Sequence, residues 1–349
     1  MTSFDEKRAE LLRWLQTALE LELATIPPYL VALLSIKPSQ NRAAADRIRS
    51  VAIEEMLHLV LIANVINALG GTVRIDSHAV PTYPLRLTFD GKTFADRQVP
   101  IELAPFSPAL IDTFMEVEKP ASLIGIDLAA GGEIQVPSLT IGGFYTRIIE
   151  QIEELEAEAP GTLFIGAKSK QIEADFYWSS GGGIVIVTDL ASATSALELV
   201  ISQGEAAWPP SRARFAHSVS LPYGIGHYYR FAEIYHGRAY AQNDDPAGLP
   251  TGDPLSVDYG AVYPILANAH AADYPVGTKA ADLNDGFNQQ YTLMLRQIEE
   301  AMTGAPQTLY TAIMNGMHTL SSLARELMQT PLPDNDKGFT ACPTFEWRV

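Results

Sequence analysis

Residues 42–69 form one unbroken apolar helical pattern, and a carboxylate and an imidazole, Glu55 and His58, stand on its buried line with Ile48, Val51, Leu59, Ile62 and Ile66. Side chains three apart on a helix share a face. The pattern therefore sends both polar groups into the interior, where burial is unfavourable unless each finds a hydrogen bond, an opposite charge or a cation. Whatever this chain folds into must supply those partners, and that requirement narrows the architecture more than any other feature.

A second long helical pattern precedes it. Over residues 6–36, Leu12, Leu15, Leu19, Glu22 and Ile26 recur at three or four residues, while Arg13, Gln16, Thr17 and Glu20 take the opposite side. Glu22 thus faces the core and Glu20 faces water. Pro27-Pro28 is expected to kink or locally break this helix. The short connection Lys37-Pro38-Ser39-Gln40-Asn41 predicts an antiparallel neighbour, and Gly70-Gly71 ends the second helix. Glu22 lies about 14 residues before the end of the first helix and Glu55 about 13 after the start of the second. At about 1.5 Å per residue the two acids fall level across the hairpin.

Beyond residue 72 the chain changes character. Residues 72–139 carry prolines throughout, with short apolar pieces such as Leu85–Phe89, and read as loops with a few strands. Helix returns over Ile141–Glu158, where Glu150, Glu153, Glu154, Glu156 and Glu158 form a solvated face. Gly181–Val187 reads as a turn and short strand, without the spacing of a dinucleotide fingerprint. A third bundle helix is predicted from Ala191 to about Ala207, opened by Asp189 or Ser192, and a fourth from about Pro222 to Tyr240. A loop-rich excursion over 242–280 precedes two helices near 282–303 and 306–328. The expected organisation is one domain over 1–349. Its core helices lie at about 6–69 and 190–241, an insertion spans about 72–188, and a C-terminal excursion with two extra helices follows.

Composition removes some function classes. A net charge of −17 supplies no basic stripe for phosphates, so nucleic acid is not an expected partner. Cys342 is the single cysteine, which excludes intrachain disulfides and thiolate metal clusters. The charged N-terminus does not resemble a signal peptide. No apolar run reaches the roughly 18 residues of a membrane span. The expected location is cytoplasmic, without membrane association.

Carboxylates and imidazoles at helical spacing suit iron, with manganese as the alternative. A two-metal bundle draws one Glu from each of two helices and a Glu-x-x-His from each of the other two. Glu22 with Glu55 and His58 supplies one half. The other is either Glu205 with His227 or Glu198 with Glu233 and His236, and spacing leaves both open. A satisfied polar network without metal is the competing reading of these buried groups. Tyr29, Tyr228 and Tyr229 flank the same positions.

The strings Glu22-Leu-Ala-Thr-Ile-Pro-Pro-Tyr-Leu30 and Glu54-Glu-Met-Leu-His58 resemble the ferritin-like family that includes the iminophenyl-pyruvate dimer synthases of violacein- and indolocarbazole-type biosynthesis. The resemblance continues through Gln203-Gly-Glu205, His227-Tyr-Tyr-Arg-Phe231, Gly260-Ala-Val-Tyr-Pro264 and Thr340-Ala-Cys-Pro-Thr-Phe-Glu346. It implies a mainly α, ferritin-like bundle with iron held by Glu22, Glu55, His58, Glu205 and His227, and Glu233 as a further ligand or base. One departure is Gly143, where the family often carries an acid. The implied function is a non-haem iron oxidoreductase, with one or two ions, acting with dioxygen on a small amino-acid-derived metabolite. The loop-rich 72–139 and 242–280 segments are expected to shape its pocket, and homo-oligomerisation stays open. The alternative is a non-catalytic bundle, with structural metal or none, that serves as an interaction protein.

Overall fold

The structure, a computed structural model, describes residues 3–86, 100–120, 140–177, 183–206, 224–333 and 336–348. Helix α1 runs Phe4–Ser35, started by a capping box in which Ser3 accepts from Glu6 N and the Glu6 side chain accepts from Ser3 N. Helix α2 runs Arg42–Ala68 and packs antiparallel on α1. Its connection needs left-handed backbone at Ser39 and Asn41, and a further left-handed residue, Gly70, follows its end. Both helices are long and apolar enough to cross a membrane by composition, yet 72% and 89% of their apolar windows are buried inside the fold. Packing accounts for that apolarity.

Helix α1 does not break at its prolines; Pro27 and Pro28 both lie inside it. Pro28 cannot donate to the carbonyl four residues back, that of Ala24. The Tyr83 hydroxyl donates to that carbonyl instead, at 2.7 Å, so the freed acceptor is satisfied and the helix continues.

Helix α3, Pro108–Val117, lies within the stretch read as loops and strands. Ser107 caps it through Leu110 N, and Pro108 opens it. The only ladder among the described residues of that stretch pairs Leu85–Arg86 with Pro100–Ile101; residues 87–99 and 121–139 lie outside the description. Helix α4, Ile141–Glu158, is capped by Thr140. It packs on α1 and on α5, Leu190–Ile201, so α1, α2, α4 and α5 form the bundle. The expected fourth helix is shorter, α6 over His227–His236, and it packs on α3 and α2. Residues 207–223 before it lie outside the description.

Ile184–Val187 form no strand. The Gln171 side chain donates to Val187 O at 2.6 Å and accepts from Val187 N at 2.7 Å, taking the place of a neighbouring strand. Helices α7, Lys279–Thr303, and α8, Leu309–Met328, pair with each other and close one side of the α1–α2 hairpin. Nearly every residue of α2 from Ala44 to Ala68 is buried, so it is the central helix.

Candidate metal centre

Most of α2 is buried, and it turns its buried polar residues toward two neighbours. Glu55 and His58 face α1. Thr25 Oγ1 donates to Glu55 Oε2 at 2.9 Å, and His58 Nδ1 lies 3.1 Å from Glu22 Oε2. The Tyr145 hydroxyl of α4 donates to the other Glu22 oxygen. The hairpin thus brings Glu22, Glu55 and His58 together, their ligand atoms within 4.8 Å of one another.

A second group shares Glu55. Glu55, Glu118 and His227 also lie within 4.8 Å of one another. Glu118 closes the C-terminus of α3 one turn beyond Phe114, whose carbonyl accepts from Glu118 N at 3.0 Å. Phe114 packs edge-on to Tyr29 at 4.6 Å and against Phe231 at 5.2 Å, and the Tyr29 hydroxyl donates to Glu118. This aromatic wedge carries the end of α3 to the centre. His227, fully buried at the start of α6, places Nδ1 2.9 Å from Glu55 Oε1 and 3.4 Å from Glu118 Oε2.

Three observations fit this arrangement to a cation. First, His227 Nδ1 makes no aligned hydrogen bond despite its two carboxylate neighbours; a buried nitrogen in that state needs a partner between the oxygens. Secondly, both imidazoles are held from behind. His58 Nε2 lies 3.0 Å from Gln203 Oε1, and His227 Nε2 lies 2.9 Å from Glu54 Oε2. These acceptors take the Nε2 protons and turn each Nδ1 toward the carboxylates, which is how outer partners orient metal-binding histidines. Thirdly, three buried carboxylates converge. Burial acts to raise the Glu22 carboxyl, but the charge of His58 and hydrogen bonds with His58, Glu55 and Tyr145 outweigh it and bring it to about 2. Burial, then the charges of Glu22 and Glu118, lift Glu55 well above the carboxylate range against the pull of His227. Burial disfavours the charge on His227, yet Glu118 and the contacts with Glu118, Glu54 and Glu55 hold it well above its ordinary value. Without metal, the raised proton affinities of Glu55 and His227 act against the convergence of negative charge that a cation would neutralise.

The remaining sequence candidates lie elsewhere. Glu205 belongs to neither group. It sits in a π-helical turn, Ser202–Ala206, and accepts from Gly142 N at 2.6 Å. A Cβ at Gly142 would come within 2.5 Å of Glu205 Oε2, so this close approach needs glycine. The turn presents Gln203 to His58, and such π turns often mark functional sites. Glu233 is buried on α6 but pairs with Arg47 Nε at 2.5 Å and accepts from Tyr240 N at 2.7 Å. Glu198 and His236 are exposed, so the Glu198, Glu233 and His236 alternative is not assembled.

Glu118 and the orienting acid Glu54 were missed by sequence reasoning. Glu118 continues the spacing of Ile111 and Phe114, and Ser107-Pro108 marks a helix start, so a signal existed. Glu54 is held by Arg230 Nη1 at 2.7 Å as well as by His227. Burial opposes ionisation of Glu54, but Arg230 foremost, then His227, lower its pKa.

A sequence profile described as ferritin-like matches residues 15–236, a span that holds every residue of this centre. Among solved structures, the chain is similar to a ferritin like protein from Caulobacter vibrioides, at 18% identity and a TM-score of 0.58, over 95% of this chain and 96% of that one. That likeness speaks for the fold alone. No curated protein matches the chain.

Proposed function

The chain belongs to the ferritin-like family, and we propose that it is a non-haem iron oxidoreductase that acts with dioxygen on a small, amino-acid-derived metabolite. The observation that carries this reading is Glu55, shared by two three-residue donor groups. Glu22 and His58 would hold one iron and Glu118 and His227 a second, with Glu55 between them. In this set Glu118 takes the place that the sequence reading gave to Glu205 and Glu233. Iron held by carboxylates and imidazoles supplies one-electron redox chemistry and dioxygen activation.

The chain's own residues prepare that chemistry. The Tyr145 and Tyr29 hydroxyls each take one oxygen of a terminal carboxylate, Glu22 and Glu118 respectively. Each carboxylate keeps its other oxygen on the histidine side, Glu22 Oε2 toward His58 and Glu118 Oε2 toward His227. Thr25 fixes Glu55 in the same way. All five donor residues are buried, which excludes bulk water and strengthens every charge interaction at the centre.

Metal analysis of protein purified without chelator tests the proposal. We expect two irons per chain, none in Glu55→Ala, and one in Glu118→Ala, with thermal denaturation confirming that the variants are folded. Oxygen consumption after Fe(II) addition should follow iron content. Stoichiometric iron in Glu55→Ala would overturn the reading. A metal-free protein whose melting temperature ignores Fe(II) would favour a non-catalytic bundle.

A further inference from the structure

A cavity of about 720 Å³ opens on another face of the α1–α2 hairpin from the carboxylates. Leu30 and Leu34 of α1 and Ala52 and Met56 of α2 form one wall, and Ile313 and Met317 of α8 form the other. It draws no described residue from 72–139 or 242–280, the segments expected to shape a substrate pocket. An apolar cleft of about 60 Å³ between the hairpin and α7–α8 adjoins it; Leu30, Met56, Ile313 and Met317 line both spaces. The cavity's volume falls in the range of about 300–1,000 Å³ usual for small-molecule sites, and thioether side chains make an adaptable lining for a flexible apolar chain.

The mouth has the opposite charge to the rest of the molecule. Lys37, Arg42, Arg49, Arg325 and His318 line the cavity with a single acid, Asp46, which pairs with Arg49 at 2.5 Å. Lys37, Arg42 and Arg325 form no ion pair with any described residue. On a chain with 41 acidic and 24 basic residues, such a ratio does not follow from composition. The start of α2 adds to it. Asn41 gives its side chain to the Asp258 backbone, leaving α2 without a side-chain cap, and the first turn carries no acid. That end of a 27-residue helix favours an anion.

We propose that this cavity binds a single-chain amphiphilic anion, a long-chain carboxylate. Its alkyl chain lies along the methionine-lined wall, and its head group meets Arg42, Arg325 and Lys37 at the mouth. Guanidinium groups suit a planar carboxylate. The site is separate from the metal centre and does not depend on iron.

The full-length protein is titrated with dansyl-undecanoic acid, then with dodecanoate or its neutral methyl ester as competitor. Dodecanoate is expected to displace the probe at least tenfold more tightly than the ester. The double variant Arg42→Glu/Arg325→Glu should lose that preference while keeping ester affinity, melting temperature and iron content. Met317→Trp, which adds bulk to that wall, should weaken both competitors, and sedimentation with anionic phospholipid vesicles should leave the protein in the supernatant. Absence of probe binding, or equal displacement by acid and ester, would overturn the proposal. So would cosedimentation lost in the double variant, which assigns the face to a membrane surface. Dimerisation that excludes the probe would also overturn it, by assigning the face to a second copy.

Discussion

His58 and His227 turn the same atom, Nδ1, into the carboxylate cluster, His58 toward Glu22 and His227 toward Glu55, and each is steered from behind by a residue outside the donor set. Gln203→Leu keeps volume but removes the acceptor for His58 Nε2. Losses of about 10–100-fold in metal affinity are usual when such a partner goes, and competition against a chelator of known affinity would measure it. An unchanged affinity would mean that packing alone orients His58. At this scale the sequence was legible where a residue sat on a long helix. Glu22, Glu55 and His58 are such residues, since two continuous periods and a short connection place them level. Glu118 was hidden because its helix has ten residues and ends at it, inside a stretch whose prolines suggest loops. Glu205 misled for a different reason: helical spacing makes it inward-facing, but the π turn rephases the chain at that point and gives the inward position to Gln203.

Between elements, α2 and α6 meet through a second polar line. Arg47, Ser50 and Glu54 lie at intervals of three and four, and their partners descend in the opposite direction as Glu233, Arg230 and His227. Two antiparallel helices in this register join the metal centre at one end to a buried ion pair at the other. The Glu-x-x-His spacing with His236 made Glu233 a reasonable donor; only the facing helix reveals that Arg47 occupies its level. Glu233→Ala would remove the carboxylate of a buried ion pair with Arg47, a change that typically destabilises by about 3–5 kcal/mol. Denaturant unfolding should register that loss while iron stoichiometry stays at its wild-type value, and loss of iron in a folded Glu233→Ala protein would return Glu233 to the donor set. The unbroken passage of α1 through Pro27-Pro28 makes a related case. Tyr83→Phe removes the donor to Ala24 O and strands a buried carbonyl, so a loss of about 1–3 kcal/mol is expected in the same measurement. That rescue comes from a residue 55 positions beyond Pro28, which is why no local rule could show it.

At the scale of the whole molecule, the centre ties stability to pH, because folding raises the proton affinity of both Glu55 and His227. His227 has its pKa raised by folding, so the stabilisation from its charge is complete below its unfolded value of about 6.5 and is lost as pH climbs through the folded one. Glu55 is raised too; its folded form holds a proton that the unfolded chain has released above about 4.3, so ionising it in place also destabilises as pH rises. Glu22 and Glu54 act in the other direction, but their lowered values confine that effect to acid, where stability falls as pH drops through the carboxylate range. Above about pH 6.5, where the unfolded chain has released both protons, the first pair governs. Chelator-treated protein is therefore expected to melt at progressively lower temperature as pH rises further. A divalent cation must displace both protons, so its affinity rises with pH and the melting gap between loaded and metal-free protein widens. Mn(II) serves as the probe, since it remains divalent through a melt. Calorimetric titrations in two buffers of different ionisation enthalpy should register proton release on binding. A melting temperature flat from pH 6.5 to 9, with no proton release, would mean that the three carboxylates are balanced by something other than His227 and Glu55.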